Sequence, residues 1–354
     1  MITTKKVLRL ASSILLLFGF IVMGSCQNRA ASPAARYGAR MVYDPIGRQS
    51  ILFGGRADAL IGMKYFDDLW KFDSASLKWS PIRTANRPGP RLSPGMVYDP
   101  INQQIIIFGG DSPHDRLADT WVYSLADNRW QEVTPSDSPP PRSDMGLAYD
   151  ELNKVVVMFS GYCRESNRDL CEDTWAFDPQ TNTWTEMYPS SSPPIMYGQT
   201  MLYDPINHQI ILWGGHESIF QNGELISHQY GNTIWQYDYQ QISWQTLPAY
   251  RSPPARYWHQ AAFDTTNGTM LLFGGNGAQG FLADTWTFNV TDRTWHQDNT
   301  QEQPTPRINP AMNYDPLNES FVLFGGMAEG GTDLGDTWVY KEEWVSVSST
   351  QSRK

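Results

Sequence analysis

Cysteine, charged residues and long apolar runs are all scarce in this sequence of 354 residues. It contains three cysteines, and only 18% of its residues are charged. The mostly apolar run over residues 11–23 is too short for a membrane-spanning helix, which needs about 20 residues. Acidic residues outnumber basic ones, 37 to 27, which gives a net charge of −10. Such a surface repels phosphate groups, so we expect no nucleic-acid partner and no binding to anionic lipid by charge.

Aromatic residues, glycine and proline are abundant instead. Aromatics make up 13% of the chain, which contains 14 Trp, 28 Gly and 24 Pro. This aromatic content is too high for a disordered protein. The glycines and prolines disfavour a helical bundle, because both residues break helices. The composition therefore predicts short strands joined by many turns.

The N-terminus has the pattern of an export signal. A basic start precedes the apolar run of residues 11–23, as in a signal peptide. The run ends in Met-Gly-Ser-Cys at residues 23–26, which resembles a bacterial lipobox. We predict a lipoprotein signal peptide over residues 1–25, lipidation at Cys26 and a tether over residues 26–35. Simple secretion with a chance cysteine is the alternative.

This reading predicts the location of the protein and the state of its other cysteines. A lipidated chain would be exported and anchored in a bacterial cell envelope, on the periplasmic or cell-surface side of a membrane. The two remaining cysteines, Cys163 and Cys171, would meet an oxidising environment. We predict that they form a disulfide. The alternatives, a metal site or a Cys–Tyr cofactor, lack recognisable partners in the sequence.

The rest of the chain is a sixfold repeat. Each copy contains an aromatic-Asp pair, then an apolar run ending in Phe-Gly-Gly or a variant, and then two spaced tryptophans. The triplets begin at Phe53, Phe108, Phe159, Trp213, Phe273 and Phe324. The triplets keep their order and spacing relative to the other motifs over six copies, which indicates a repeat architecture.

Each copy predicts four strands, which we name A to D. Strand A ends at the aromatic-Asp pair, and a turn rich in Asp and Pro leads to the apolar strand B. The two glycines are predicted to end strand B; the first tryptophan then lies in strand C, and the second opens strand D. The pattern predicts an all-β, six-bladed β-propeller of four-stranded antiparallel blades over residues 36–347, with a C-terminal tail over 348–354.

These motifs resemble the kelch repeat and the propeller domain of galactose oxidase, over about residues 33–347. The resemblance implies the fold rather than the function, because kelch propellers include enzymes, adaptors and scaffolds. Galactose oxidase resemblance would imply copper bound by two Tyr and two His, with one Tyr crosslinked to Cys. No cysteine remains for that crosslink if Cys163 and Cys171 pair. A mutarotase acting on sialic acid, which also uses a six-bladed kelch propeller, stays open as an alternative, although none of its catalytic residues can be assigned here.

An Arg column and an Asp column recur in five of the six copies, and copy 4 has Met196 and Thr233 in their places. Both charges are lost from the same copy, so we predict that they form ion pairs inside the blades, because a buried charge without its partner is costly. The predicted pairs are Arg36 with Asp68, Arg91 with Asp119, Arg142 with Asp173, Arg256 with Asp284, and Arg307 with Asp336. The alternative is a ring of arginines that recognises an anion.

The loops that join strand B to C and strand D to A share one face of such a fold, which we call the B–C/D–A face. Its B–C loops vary in length, and variable loops on a rigid scaffold are where binding usually resides. Exposed aromatics such as Tyr37, Tyr162, Tyr197 and Tyr257 are predicted to stack on sugars there. The candidate ligand-binding residues are His216, Glu217, His228, Arg256, Trp258 and His259. Their spacing is not that of a metal site, so we expect no metal.

The sequence as a whole predicts a lipid-anchored binding or scaffold module of the envelope, monomeric, that binds a glycan or a protein through the B–C/D–A face. No catalytic residue and no cofactor are predicted. The alternative is a carbohydrate-active enzyme, of the mutarotase or epimerase kind rather than the galactose oxidase kind.

Overall fold

The structure is a computed structural model that describes residues 31–59, 62–165, 168–221 and 224–347. All of its secondary-structure elements are β-strands, which confirms the all-β class. The predicted signal peptide, the lipidation site Cys26 and the predicted tail over 348–354 lie outside the described residues. Within these ranges, no helix has the length and apolar character needed to cross a membrane.

Six four-stranded antiparallel units follow one another along the described chain, each with its strands in the order A-B-C-D; we call them blades 1 to 6. The A strands are Arg40–Asp44, Gly95–Asp99, Gly146–Asp150, Thr200–Asp204, Gln260–Asp264 and Ala311–Asp315. The B strands are Gln49–Phe53, Gln104–Asp111, Val155–Phe159, Gln209–Trp213, Thr269–Phe273 and Ser320–Ala328.

The outer half of each blade is formed by strands C and D. The C strands are Leu69–Asp73, Arg116–Ser124, Thr174–Asp178, Ile234–Asp238, Thr285–Asn289 and Thr332–Tyr340. The D strands are Lys78–Ile82, Arg129–Val133, Thr183–Met187, Ser243–Leu247, Thr294–Asp298 and Trp344–Ser346.

Strand B differs from expectation in two blades. The glycine pair was predicted to end it, and in blades 1, 3, 4 and 5 it does. In blades 2 and 6 strand B continues past the glycines to Asp111 and Ala328, with a bulge in its pairing to strand C. The bulge accommodates glycines with positive φ, a conformation that costs glycine little.

The core lies between neighbouring blades. Apolar clusters join strand B of one blade to the second tryptophan of the next: Trp184 of blade 3, for example, packs against Phe108 of blade 2, with ring centroids 5.1 Å apart. The indole Nε1 of Trp184 also donates a hydrogen bond to Thr120 of blade 2. Four blades make this bond, whose donor–acceptor pairs are Trp79–Thr337, Trp184–Thr120, Trp244–Thr174 and Trp344–Thr285.

The six blades meet at a closed ring of backbone hydrogen bonds around the central axis. One residue from each blade donates its N–H to the carbonyl of its counterpart in the preceding blade, at N–O distances of 2.8 to 3.2 Å. The six residues are Gly38, Ser93, Asp144, Gly198, Trp258 and Asn309, and all have φ between 46° and 67°. We call this the axial ring. The bond from Gly38 to Asn309 closes it between blades 6 and 1.

Candidate functional site

The B–C/D–A face is built from hairpins that extend the B–C loops. Separate hairpins occur in blade 1 (Arg56–Ala59 and Gly62–Tyr65), blade 3 (Tyr162–Glu165 and Arg168–Leu170), blade 4 (His216–Gln221 and Glu224–Tyr230) and blade 5 (Asn276–Gly277 and Gly280–Phe281). Short strands of the preceding D–A segments pair with the loops of blades 3 to 6, at Arg142–Ser143, Ile195–Tyr197, Arg256–Tyr257 and Arg307–Ile308. This pairing holds the variable loops against the blades.

A continuous group of aromatic rings crosses this face from blade 3 to blade 5. Tyr197 lies at its centre, with ring centroids 4.1 Å from Tyr162, 5.0 Å from His216 and 5.7 Å from Tyr257. Tyr230 stacks on Tyr257 at 5.3 Å. The members of this group, which we call the aromatic cluster, are Tyr162, Tyr197, His216, His228, Tyr230, Tyr257 and Trp258. Apart from the buried Tyr197 and the exposed His228, they are partly exposed, so their ring surfaces are available to a ligand.

The hairpin of blade 4 separates two of the predicted ligand-binding residues. His216 pairs with Tyr230 across the hairpin, and Glu217 pairs with Gln229. Successive residues of a strand point to opposite faces, so His216 joins the aromatic cluster while Glu217 points away from it. Glu217 is buried and accepts a 2.6 Å hydrogen bond from the Gln229 side chain. Its pKa is raised by burial, an effect that this hydrogen bond opposes.

The two histidines of the blade 4 hairpin lie side by side, with ring centroids 5.0 Å apart. Burial lowers the pKa of His216, and the neighbouring charge of His228 lowers it further. His216 is therefore a neutral aromatic ring at neutral pH, suited to stacking and hydrogen bonding. His228 is exposed, and its Nδ1 lies 3.0 Å from the Ser218 hydroxyl.

Trp258 is held in an unusual backbone conformation. It is a member of the axial ring with φ of 55°, which is rare for a bulky residue and recurs at functional sites. Glycine at the equivalent position of blade 4 makes room for it, because a Cβ at Gly198 would lie 2.7 Å from the Trp258 indole. Trp258 matches none of the repeated tryptophan positions. The Arg column could have located it, because every residue of the axial ring lies two positions after that column.

Two further predicted ligand-binding residues, Arg256 and His259, are buried in the core. Arg256 is held by Asp284. His259 is 1% exposed, and its ring lies 4.9 Å from Trp213. In the part of the chain that the structure describes, neither ring nitrogen has a hydrogen-bond partner. Burial, and then the charge of Arg256, lowers the pKa of His259 to about 3, so its ring is neutral. These side chains, like Glu217, are not presented to a ligand, which corrects the expectation for all three.

The Arg and Asp columns meet inside each of the five blades that carry them. The Nη1–Oδ1 distances are 2.5 to 2.7 Å, and the arginines are at most 1% exposed. Burial opposes ionisation of these carboxylates, but the arginine hydrogen bonds and charges outweigh it and lower the pKa of Asp68, Asp284 and Asp336. This geometry supports the structural reading over an anion-binding ring, because both Nη groups are directed at an Asp.

The Asp column has a second partner that the sequence did not reveal. Each Asp also accepts a hydrogen bond from the indole Nε1 of the strand C tryptophan two residues later, at 2.6 to 2.7 Å. In blade 4, where Thr233 replaces the Asp, the buried Nε1 of Trp235 has no partner among the described residues. Blade 4 therefore lacks the whole Arg–Asp–Trp arrangement.

The disulfide lies at the edge of the aromatic cluster. Cys163 and Cys171 are bonded, with Cα atoms 5.6 Å apart, and close the hairpin of blade 3 that carries Tyr162. Arg116 of blade 2 donates a 3.0 Å hydrogen bond to the Cys163 carbonyl and lies over the Tyr162 ring at 5.0 Å. Among the described residues, no group of three or more His, Cys, Asp or Glu is placed to hold a metal ion.

Comparison with known proteins decides the family. Residues 24–215 and 204–353 match the KLHDC2/KLHL20/DRC7 Kelch-repeats domain. The chain belongs to the kelch-repeat family. The four-stranded sheets of the structure agree with a kelch β-propeller, and proteins of this family generally mediate protein binding.

Similar proteins come from several eukaryotes. Human Kelch domain-containing protein 3 is 25% identical over 76% of this chain and 72% of its own length. Mei4-dependent protein 6 of Schizosaccharomyces pombe is 22% identical over 83% of this chain and 45% of its own length. The F-box/kelch-repeat protein At1g51550 of Arabidopsis thaliana is 26% identical over 64% of this chain and 48% of its own length.

Proposed function

We propose that this kelch protein is a binding module whose ligand site is the aromatic cluster on blades 3 to 5, and that its ligand is a protein. The carrying observation is the partly exposed group of contacting Tyr, His and Trp rings beside the Trp258 backbone. Tyrosine and tryptophan supply large contact area for little lost conformational entropy, and both are enriched at the centre of interfaces. The exposed tip of the blade 4 hairpin, with Leu225 49% and Ile226 56% exposed, would extend the contact surface.

A glycan is the second candidate ligand. Flat aromatic rings present apolar faces of the kind on which sugar rings stack, and the Tyr230–Tyr257 pair offers such a surface at the rim of the cluster. A carbohydrate-active enzyme stays a prediction that rests only on resemblance to kelch enzymes, since no catalytic side chain can be assigned.

Matched tyrosine variants test the site. Tyr257→Ala removes a ring from the cluster, whereas Tyr188→Ala removes a tyrosine that is 78% exposed outside it. We expect partners captured from envelope extracts to be lost with Tyr257→Ala and retained with Tyr188→Ala. A glycan array probed with the wild type and these two variants identifies a sugar ligand instead. Retention of every partner and glycan by Tyr257→Ala would contradict the proposed site.

We further propose that the module is tethered to a bacterial envelope membrane through Cys26, which the lipobox-like sequence supports. Labelled palmitate should be incorporated into the wild-type protein and not into Cys26→Ala, which should instead become soluble after export. Equal labelling of both proteins would exclude this anchor.

A further inference from the structure

A second unassigned feature is a cavity on the axis of the propeller, away from the aromatic cluster. It has a volume of about 450 Å³ and is lined by strand A of all six blades. Ligand pockets of proteins commonly fall between about 300 and 1,000 Å³. The cavity extends from strand residues just below the axial ring to the A–B turns at Pro45, Pro100 and Pro316, on the face opposite the B–C/D–A face.

Methionine and tyrosine recur in the lining of this cavity. The five methionines that line it are Met41, Met96, Met145, Met201 and Met312. They keep 4 to 8% of their surface accessible, whereas the neighbouring strand B residues Leu52, Ile106 and Val157 are 0% exposed. Methionine is unbranched and adapts its shape, so such walls accommodate a flexible apolar ligand.

The A–B turns beside the mouth of the cavity carry exposed aliphatic side chains. Five blades place one in the A–B turn, two residues after the Asp that ends strand A: Ile46, Ile101, Leu152, Ile206 and Leu317. Each is 50 to 55% exposed, and blade 5 has Thr266 at this position. Four of these aliphatics directly follow a residue that lines the cavity, and exposed apolar surface of this kind marks ligand or partner sites. We call the set of five the collar.

The inner end of the cavity is polar. Arg40 begins strand A of blade 1, and its side chain is 17% exposed. Its guanidinium makes a 3.4 Å hydrogen bond to the Ala39 carbonyl and lies 3.6 Å from the carboxylate of Asp144, a member of the axial ring. Both contacts are long compared with the usual 2.7–2.9 Å of charge-assisted hydrogen bonds. The guanidinium therefore retains donor capacity for an acceptor at this end.

We propose that the axial cavity binds a single-chain amphiphile, with its hydrogen-bond-accepting head group beside Arg40 and its alkyl chain between the methionines and the collar. The methionine side chains of the walls favour the chain, because each buried CH₂ group contributes to binding through the hydrophobic effect. Arg40, a charged donor at the inner end, selects the head. This site is separate from the aromatic cluster, so it stands or falls independently of the proposed function.

Calorimetric titration of the purified protein tests the site with defined probes. Dodecanoate and dodecan-1-ol, kept below the concentrations at which they aggregate, share the chain and differ in the head. Butanoate and butan-1-ol keep each head and shorten the chain. We expect saturable one-to-one binding of at least one long-chain probe and binding weakened about tenfold or more for its short counterpart. The preferred head distinguishes a carboxylate ligand from an alcohol.

Variants locate the binding. Ala262→Leu fills the cavity and should weaken binding about tenfold, whereas Ala126→Leu makes the same change at an exposed turn. Arg40→Met should weaken binding about tenfold, the loss expected for a hydrogen bond to a charged group, and Arg48→Met is its exposed control. If Ala262→Leu fails to fold, the exposed collar pair Ile101→Ser and Ile206→Ser replaces it. Absence of saturable binding, or binding that neither the cavity nor the collar variants change, would overturn the proposal.

Discussion

Asp119 stabilises two buried groups at once, which makes it a sensitive position in blade 2. Its carboxylate accepts hydrogen bonds from both Nη groups of Arg91 and from the Trp121 indole. Asp119→Ala leaves the Arg91 charge buried and unpaired, so we expect a loss of about 3–5 kcal/mol in the free energy of unfolding. Denaturant unfolding of the variant and the wild type measures this loss.

Blade 4 supplies the control for that prediction. Arg91→Met with Asp119→Thr copies the residues that blade 4 has at these positions. The double variant should recover the part of the loss caused by the stranded charge. It should retain about 1–3 kcal/mol, because the Trp121 indole is left without an acceptor, as Trp235 is in blade 4. Losses that simply add in the double variant would contradict the pairing.

His259 makes stability depend on pH. Its pKa is about 3 in the folded protein and near 6.5 in an unfolded chain, so the unfolded state binds the extra proton between these values. The contribution of His259 to the free energy of unfolding is therefore complete above pH 6.5. Below about pH 6 it falls by roughly 1.4 kcal/mol for each pH unit. His259→Met should flatten the stability profile between pH 4 and 6, and the exposed His114→Met should not. An unchanged slope in His259→Met would assign the dependence to other groups.

At the level of strands, the sequence predicts the regular part of each blade and misses its additions. Apolar runs such as Ile105–Phe108 and the turn residues fix strands A to D, because these patterns repeat in every copy. The hairpins of the B–C loops do not repeat from blade to blade. The sequence pattern therefore did not indicate a hairpin in blade 4, or that His216 and Glu217 would lie on its opposite faces. His259 was misplaced for a related reason: its neighbours Trp213 and Gly214 belong to the adjacent blade, and only the tertiary packing buries it.

The blade 3 hairpin depends on a short crosslink. The disulfide between Cys163 and Cys171 closes a loop of sequence separation 8. A disulfide that closes a loop of 15 residues stabilises a protein by about 3 kcal/mol through loop-closure entropy, so we expect a smaller stabilisation here. Cys163→Ala with Cys171→Ala should lower the free energy of unfolding by less than that amount. The same variant should weaken the binding of any ligand to the aromatic cluster, because Tyr162 lies on this hairpin. Mass spectrometry that finds two free thiols in protein purified from its native host would contradict the bond in the native protein.

On the scale of the whole molecule, the structure is a ring whose last interface joins blades 6 and 1. The contacts there repeat those between other blades. Trp79 of blade 1 donates to Thr337 of blade 6 as Trp184 does to Thr120, and the axial ring closes through Gly38. The segment before blade 1 adds to this interface, because Pro33 is buried and Ala35 lies against Gly335 of blade 6. The closing interface is therefore built like an internal one.

Equivalent construction predicts equivalent stability at the two interfaces. Thr337→Val weakens the junction of blades 6 and 1, and Thr120→Val weakens that of blades 2 and 3. Each leaves a buried indole N–H unpaired, so each should lower the free energy of unfolding by about 1–3 kcal/mol. In a linear array a terminal repeat can unfold separately, but in a closed ring every blade has two neighbours. We therefore expect both variants to unfold in a single transition, with similar losses in the free energy of unfolding. Tryptophan fluorescence and circular dichroism measure the transition. An early separate transition in Thr337→Val alone would show that the ring opens at this interface before the other blades unfold.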